Sequence, residues 1–257
     1  MPGEVAVSSI SEQGVVHVQL RHDGRLNAMS RAMWRQLRTV FEGIQNDADA
    51  RCVVLQGAGN AFCAGGDISE YPEFRFDAAQ LRAFHEDDVW GGLSAILACD
   101  VPVIASIRGA CMGAGVEIAS CCDIRIAERG AKFGAPIAKL GFPMAPREAA
   151  LVASAVGAMT ARQMLLEAAT LTAEDMDRRG FLSQLVDAEE LDERVRVSAR
   201  RISSLAPQAA RLNKQTLRAL GGASSGQSDP SDPYAYADSA EHREGIHAFL
   251  EKRPAVF

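Results

Sequence analysis

VIASIRGACMGAGVEIASCCDIRIA, residues 103–127, is the stretch whose reading decides the fold class. VIASI (103–107) is a short, mostly apolar run of the kind that forms a buried strand. Gly109 to Gly115 is a loop of small residues, and an apolar helix is expected to start near Gly113 and run to about Cys121. IRIA (124–127) reads as a second short strand. Strand, small-residue loop, helix and strand follow one another within this segment, which is the grammar of an α/β protein.

The pattern extends in both directions. Upstream, GVVHVQL (14–20) alternates like a strand, and SRAMWRQLRTVFEGIQ (30–45) places Met33, Leu37, Val40, Phe41 and Ile44 at helical spacing behind Ser30 as N-cap. CVVLQ (52–56) reads as a buried strand that runs into the turn-rich GAGNAFCAGGD. A helix is expected over 78–98, ending before Asp100-Val101-Pro102. From about residue 144 the chain turns mainly helical, with Ala158–Ala168, Ala173–Arg179 and Leu191–Ser204 as candidates. GGASSGQSDPSDP (221–233) reads as a loop, and a last helix covers about 235–252. No period of roughly 20 to 50 residues repeats.

A chain of 257 residues suits one large domain, or one domain with a small appendage. Its 47% hydrophobic content is enough for a sizeable core, and Lys plus Arg (27) against Asp plus Glu (33) gives a net charge of −6. With no long basic run, a nucleic-acid binder is disfavoured. Cys52, Cys63, Cys99, Cys111, Cys121 and Cys122 form no C-x-x-C pair, and no His stands at zinc-ligand spacing from them. The N-terminal MPGEVAVSSI lacks the basic and apolar segments of a signal peptide, and no apolar run reaches about 18 to 20 residues. A soluble cytoplasmic protein with reduced cysteines is the expectation.

Two small-residue segments carry the chemistry: Ala61-Phe62-Cys63-Ala64-Gly65-Gly66-Asp67-Ile68, and Gly109 to Ile118. Each follows an expected buried strand, where ligands of α/β proteins usually sit. Neither supplies the glycines of G-x-G-x-x-G nor the lysine of a P-loop, so a nucleotide-binding reading is disfavoured. Glu117 is sharper. It stands in the apolar run VEIASCC, and an ionised carboxylate is expensive to bury without partners. Ala114 and Glu117 are three residues apart and so share one side of the helix start. One helical turn would then offer an amide to an oxyanion and a carboxylate to a nearby carbon or water. The bland alternative is a buried Glu paired with a core Arg such as Arg125.

Taken together, RLNAM (25–29), AFCAGGDI (61–68), GACMGAGVEIASCCDIRIA (109–127), AKFGAP (131–136), LGFP (140–143) and HREGIHAFLEKRPAVF (242–257) resemble the crotonase, or enoyl-CoA hydratase/isomerase, superfamily, in order and over nearly the whole chain. The resemblance implies an α/β fold: a spiral of ββα units in residues 1–195 and a helical C-terminal region in 196–257 used to form a homotrimer or hexamer. It implies an acyl-CoA thioester as substrate, with no metal or redox cofactor. It matches the amides of Gly66 and Ala114 to the donors that polarise the thioester carbonyl towards an enolate, and Glu117 to a catalytic acid/base. Ala28, Ala64, Gly66, Asp67, Ile68, Ser69, Ala114 and Ile137 fall on substrate-contacting positions by the same match. Arg25 and Lys252 become candidates for the CoA phosphates, Lys252 from a neighbouring subunit.

The chain departs from the family at one decisive position. Hydratases of the family carry a second glutamate directly after the Pro of F-G-x-P-E, and here the sequence is Phe133-Gly134-Ala135-Pro136-Ile137. Ile137 cannot transfer a proton. Three readings follow: hydration of a 2-enoyl-CoA by Glu117 alone, another acyl-CoA reaction such as hydrolysis, decarboxylation or isomerisation, or acyl-CoA binding without turnover. Asp67, Tyr71, His85, Arg147, Tyr234, Tyr236 and His242 are candidates to fill the gap. Asp67 is expected to anchor its own loop. His85, beside Glu86, Asp87 and Asp88, is expected on a solvated face, and His242 at the surface or an interface. Ala114, Ile137 and Met144 suggest an apolar pocket for an uncharged acyl group.

Overall fold

The structure is a computed structural model that describes residues 2–11, 13–220 and 233–257. In chain order its elements begin with β1 (Glu4–Val7), β2 (Val15–Arg21), α1 (Arg31–Gln45), β3 (Cys52–Gly57), α2 (Ala78–Ala83) and α3 (Trp90–Ala98). The centre of the chain holds β4 (Val103–Ile107), β5 (Ala110–Met112), α4 (Ala114–Cys121), β6 (Ile124–Glu128) and β7 (Lys132–Gly134). Then come α5 (Pro146–Val156), α6 (Ala158–Leu166), β8 (Thr170–Thr172), α7 (Ala173–Arg178), β9 (Gln184–Val186), α8 (Leu191–Ser203), α9 (Pro207–Leu220) and α10 (Ala240–Glu251). Among the described residues the strands form a larger sheet ordered β1-β2-β3-β4-β6-β9 and a smaller one ordered β5-β7-β8.

Successive units explain the two sheets. β4 and then β6 pair in parallel in the larger sheet, while β5 and β7, which follow them, pair in parallel in the smaller. A helix closes each unit, α4 after β5 and α5 after β7. This is the expected spiral of ββα units.

Strand alternation sets what each sheet face buries. Val16, Val18, Val53, Leu55, Val103 and Ala105 belong to the main core, with Met33, Trp34, Leu37 and Phe41 of α1 and Leu93 and Ile96 of α3. Their neighbours Val15, Cys52, Val54, Ile104 and Ile126 form a second cluster under Leu191, Val195 and Ala199 of α8. Both faces of this largely parallel sheet are covered, which is why its strands read as continuous apolar runs. α1 starts where expected, because the Ser30 side chain accepts from the Met33 amide.

The expected helix over 78–98 is interrupted. Phe84–Val89 forms a π-helical turn between α2 and α3. The last helix is shorter than expected at its start, since Ser239 caps it by accepting from the His242 amide. The expected loop over 221–233 lies, except for Pro233, outside the described residues. α9 is held to the core by charge: Arg211 donates to the carbonyls of Asp47 and Ala50, Lys214 pairs with Asp123 at 2.7 Å, and Arg218 with Asp100 at 2.8 Å. Among the described residues no helix is long and apolar enough to cross a membrane.

Candidate active site

The two small-residue segments lie side by side. Cys63 and Cys111 form an isolated parallel bridge, with the Cys63 amide donating to Ala110 O and the Met112 amide to Cys63 O. A Cβ on Gly115 would stand 2.6 Å from the Cys63 carbonyl oxygen, so only glycine lets α4 approach this closely. Gly115→Ala is expected to destabilise the fold by about 1–3 kcal/mol. Thermal melting checks this, since each kcal/mol lowers Tm by roughly 2–4 °C in a chain of this size.

Gly113 turns the chain from β5 into α4 with φ of 48°, a left-handed conformation that a side chain would strain. Its own amide donates to Gly134 O at 2.8 Å, which ties the helix start to β7. The next amide, that of Ala114, is the first of the helix and has no acceptor among the described residues. The Gly66 amide, across the gap, has none either, although Met29 N to Gly65 O and Asp67 N to Met29 O hold both its neighbours at 2.8 Å. Both residues line one cavity of about 230 Å³. Two N–H groups without an acceptor among the described residues therefore belong to residues that line one cavity, the donor set that a developing oxyanion would need.

Glu117 lines the same cavity, one turn into α4. It is 7% exposed, and its carboxyl makes no hydrogen bond or ion pair among the described residues. No sealed side-chain oxygen or nitrogen is left unsatisfied among them, so the carboxyl oxygens open to the cavity. Burial, with the charge of Glu148 close by, holds this carboxyl well above the usual carboxylate range. The pairing with Arg125 considered from the sequence does not occur. Arg125 instead donates to the carbonyls of Ala119, Cys122 and Phe181, capping the C-terminal end of α4.

Apolar side chains form most of the rest of the wall, among them Trp34, Ile68, Val89, Ile137, Phe142 and Met144. Tyr71 packs its hydroxyl over Gly66, where an added Cβ would meet it at 2.2 Å, and burial pushes this phenol up to about 12. The Arg75 guanidinium lies 4.4 Å from the Tyr71 ring centroid and 3.7 Å from that of Phe142.

The sequence profile described as Enoyl-CoA hydratase/isomerase matches residues 11–257. The chain belongs to the enoyl-CoA hydratase/isomerase family, the crotonase superfamily. A protein named as a probable enoyl-CoA hydratase of Mycobacterium bovis is 31% identical over 255 residues, covering 96% of this chain and 95% of its own. The mitochondrial Delta(3,5)-Delta(2,4)-dienoyl-CoA isomerase of Mus musculus is 39% identical over 131 residues, 48% of this chain and 40% of its own. The crystal structure of an enoyl-CoA hydratase/carnithine racemase from Magnetospirillum magneticum superposes with a TM-score of 0.90 at 34% identity, over 98% of this chain and 94% of that one. The expected crotonase fold is therefore the observed one, and the protein is a crotonase-type acyl-CoA enzyme.

Within this crotonase, Ala64, Gly66, Ile68, Ala114, Glu117 and Ile137 line the cavity together. Asp67 and Ser69 do not; the Asp67 carboxylate accepts from the Ser69 amide and hydroxyl at 3.1 and 2.7 Å and from Arg25 Nη1 at 2.8 Å, so it anchors its loop. Ala28 is buried behind that loop, its carbonyl 2.7 Å from His22 Nδ1. Lys252 is exposed at the end of α10. Tyr234, Tyr236, His242 and Arg147 stand outside the cavity, Tyr236 and His242 against each other and Arg147 paired with Glu86 at 3.0 Å.

The solvated face expected for His85 is corrected. The π-helical turn carries an extra residue, which shifts the phase of the faces. His85 turns into the cavity and Asp88 is buried between Arg31 and Arg35, while Glu86 and Asp87 stay outside. Two residues not singled out from the sequence also matter. Asn27, buried with φ of 60°, donates to the carbonyls of Ala58 and Ala61 and steadies the first loop. Glu148, on α5, lines the cavity with its carboxylate 2.7 Å from His85 Nδ1.

Proposed function

We propose that this protein adds water across the double bond of a short 2-enoyl-CoA thioester. The observation that carries the reading is the Glu117 carboxyl, largely buried yet open to the cavity and unpaired among the described residues, on the helical turn that begins with Ala114, whose amide has no acceptor among them. The thioester oxygen sits between the two amides, which stabilise the charge it gains as the enolate forms. Water attacks the β-carbon as Glu117, whose burial raises its affinity for a proton, gives that proton to the α-carbon; the proton released by the attacking water then restores the Glu117 carboxyl. The cavity is smaller than the roughly 300–1,000 Å³ of drug-sized sites, which favours a crotonyl-sized acyl group with the CoA outside. The test is loss of the enoyl thioester absorbance of crotonyl-CoA on mixing with the purified protein. No loss at any enzyme concentration contradicts the reading.

The same enolate also serves a double-bond shift, and the relative from Mus musculus is an isomerase. A 3-enoyl-CoA substrate separates the two, since a hydratase leaves it unchanged and an isomerase conjugates it.

An uncharged acyl group is preferred. The wall is mostly apolar, two carboxyls face the cavity, and the Arg75 cation is already spread over two rings. Crotonyl-CoA is expected to exceed glutaconyl-CoA in kcat/KM, and the reverse order contradicts this assignment. A homotrimer or hexamer accounts for the apolar side chains exposed on α9 and α10, among them Leu217, Leu220, Phe249 and Leu250. Lys252 of a neighbouring subunit and Arg25 remain the candidates for the CoA phosphates.

A further inference from the structure

We propose that Glu148, oriented by His85, is the second proton-transfer carboxylate of this site, acting from α5 where position 137 offers only an isoleucine. The inference rests on the hydration reading. Glu148 is 3% exposed, and the side-chain partner it has among the described residues is His85. A carboxylate in an apolar wall is costly to keep. This one lines the same cavity as Glu117 and Ile137 and lies close enough to Glu117 to raise its proton affinity. His85 reaches it from the π-helical turn of Phe84–Val89, and such turns recur at functional sites. The other titratable side chains lining the cavity are Tyr71 and Arg75; the Glu86–Arg147 pair lies outside it.

In this arrangement the two carboxyls divide the work, one protonated and one ionised. Glu148 takes a proton from water as the water oxygen bonds to C3 of the enoyl group. The C2–C3 π pair moves into the thioester, whose oxygen takes the charge between the amides of Gly66 and Ala114. The enolate collapses as C2 accepts the proton of Glu117. Glu148 ends protonated and Glu117 ionised, and exchange with solvent water restores both. The net change is addition of one water.

Glu148→Gln keeps the size and a hydrogen bond to His85 but cannot accept the proton. It is expected to lower kcat for crotonyl-CoA hydration by ~10²–10⁴-fold with little change in KM. Exchange of the α-hydrogens of butyryl-CoA in D₂O needs only Glu117 and the two amides, and it is expected to persist in this variant. Glu117→Gln removes both activities. If Glu148→Gln does not fold, Glu148→Asp carries the same test, with a ~10²-fold loss expected from the withdrawn carboxylate. His85→Gln is expected to lower kcat and move the acid limb of its pH profile, which a merely structural staple would leave in place. Hydration within threefold of wild type in Glu148→Gln, or equal loss of hydration and exchange, overturns the assignment and leaves the hydration reading standing. A wild-type protein that exchanges α-hydrogens yet hydrates no enoyl-CoA overturns both.

Discussion

Glu117→Gln is expected to abolish turnover, with hydration of crotonyl-CoA falling by about 10⁴-fold, the upper end of what one positioned acid/base contributes. The amide of glutamine fills the space of the carboxyl but has no proton to give to the α-carbon. The fold should not suffer, because the carboxyl has no partner among the described residues to lose and its burial as an ion is unfavourable. Steady-state rates together with thermal melting separate the two effects: activity disappears while Tm stays equal or rises. The pH profile follows from the same cause. Since burial and Glu148 raise the affinity of Glu117 for its proton, the acid form persists above the usual carboxylate range, and hydration declines only as pH climbs past that raised value. A Gln variant with more than a tenth of wild-type activity contradicts Glu117 as the acid.

Ala114→Pro is the second large effect. It removes one N–H and nothing else that the helix needs. Ala114 is the first residue of α4, the position where proline is tolerated because that amide is unpaired in any case. The neighbouring bond from Gly113 N to Gly134 O is untouched. Loss of one oxyanion donor costs about 2.7–4 kcal/mol, so kcat is expected to fall by roughly 10²–10³-fold while the far-ultraviolet dichroism stays that of the parent. Ala114→Gly is the control. It keeps the amide and deletes only the methyl group, and it is expected to stay within a few-fold of wild type. Equal rates for Ala114→Pro and Ala114→Gly contradict an oxyanion role for this amide.

Much of the frame was legible because its strands are buried on both faces. Cys52–Gly57 and Val103–Ile107 are mostly apolar runs, and α1 announces itself through Ser30 and its apolar stripe. β5, β7, β8 and β9 were not legible. Each has three residues, too few to show a period, and their pairing is imposed by the spiral. α5 was not singled out within the mainly helical stretch that starts near residue 144; its Pro146 sits in the first turn, where proline belongs. With α5 went Glu148. Its partner His85 was assigned to a solvated face from its neighbours Glu86, Asp87 and Asp88, whereas the π-helical turn carries it into the cavity. Gly66, Ala114 and Glu117 were legible from motif and spacing, whereas Glu148 faces Glu117 only through the packing of α5 on α4.

The central claim is that the amides of Gly66 and Ala114 polarise a thioester carbonyl. Its most direct test is the infrared difference spectrum of crotonyl-CoA labelled with ¹³C at the thioester carbon and bound to the Glu117→Gln protein, which holds substrate without turning it over. The C=O stretch is expected to move to lower frequency than in free crotonyl-CoA, and most of that shift to vanish when Ala114→Pro is added. A carbonyl band at its free-solution frequency in the bound complex, or a shift indifferent to Ala114→Pro, would contradict it.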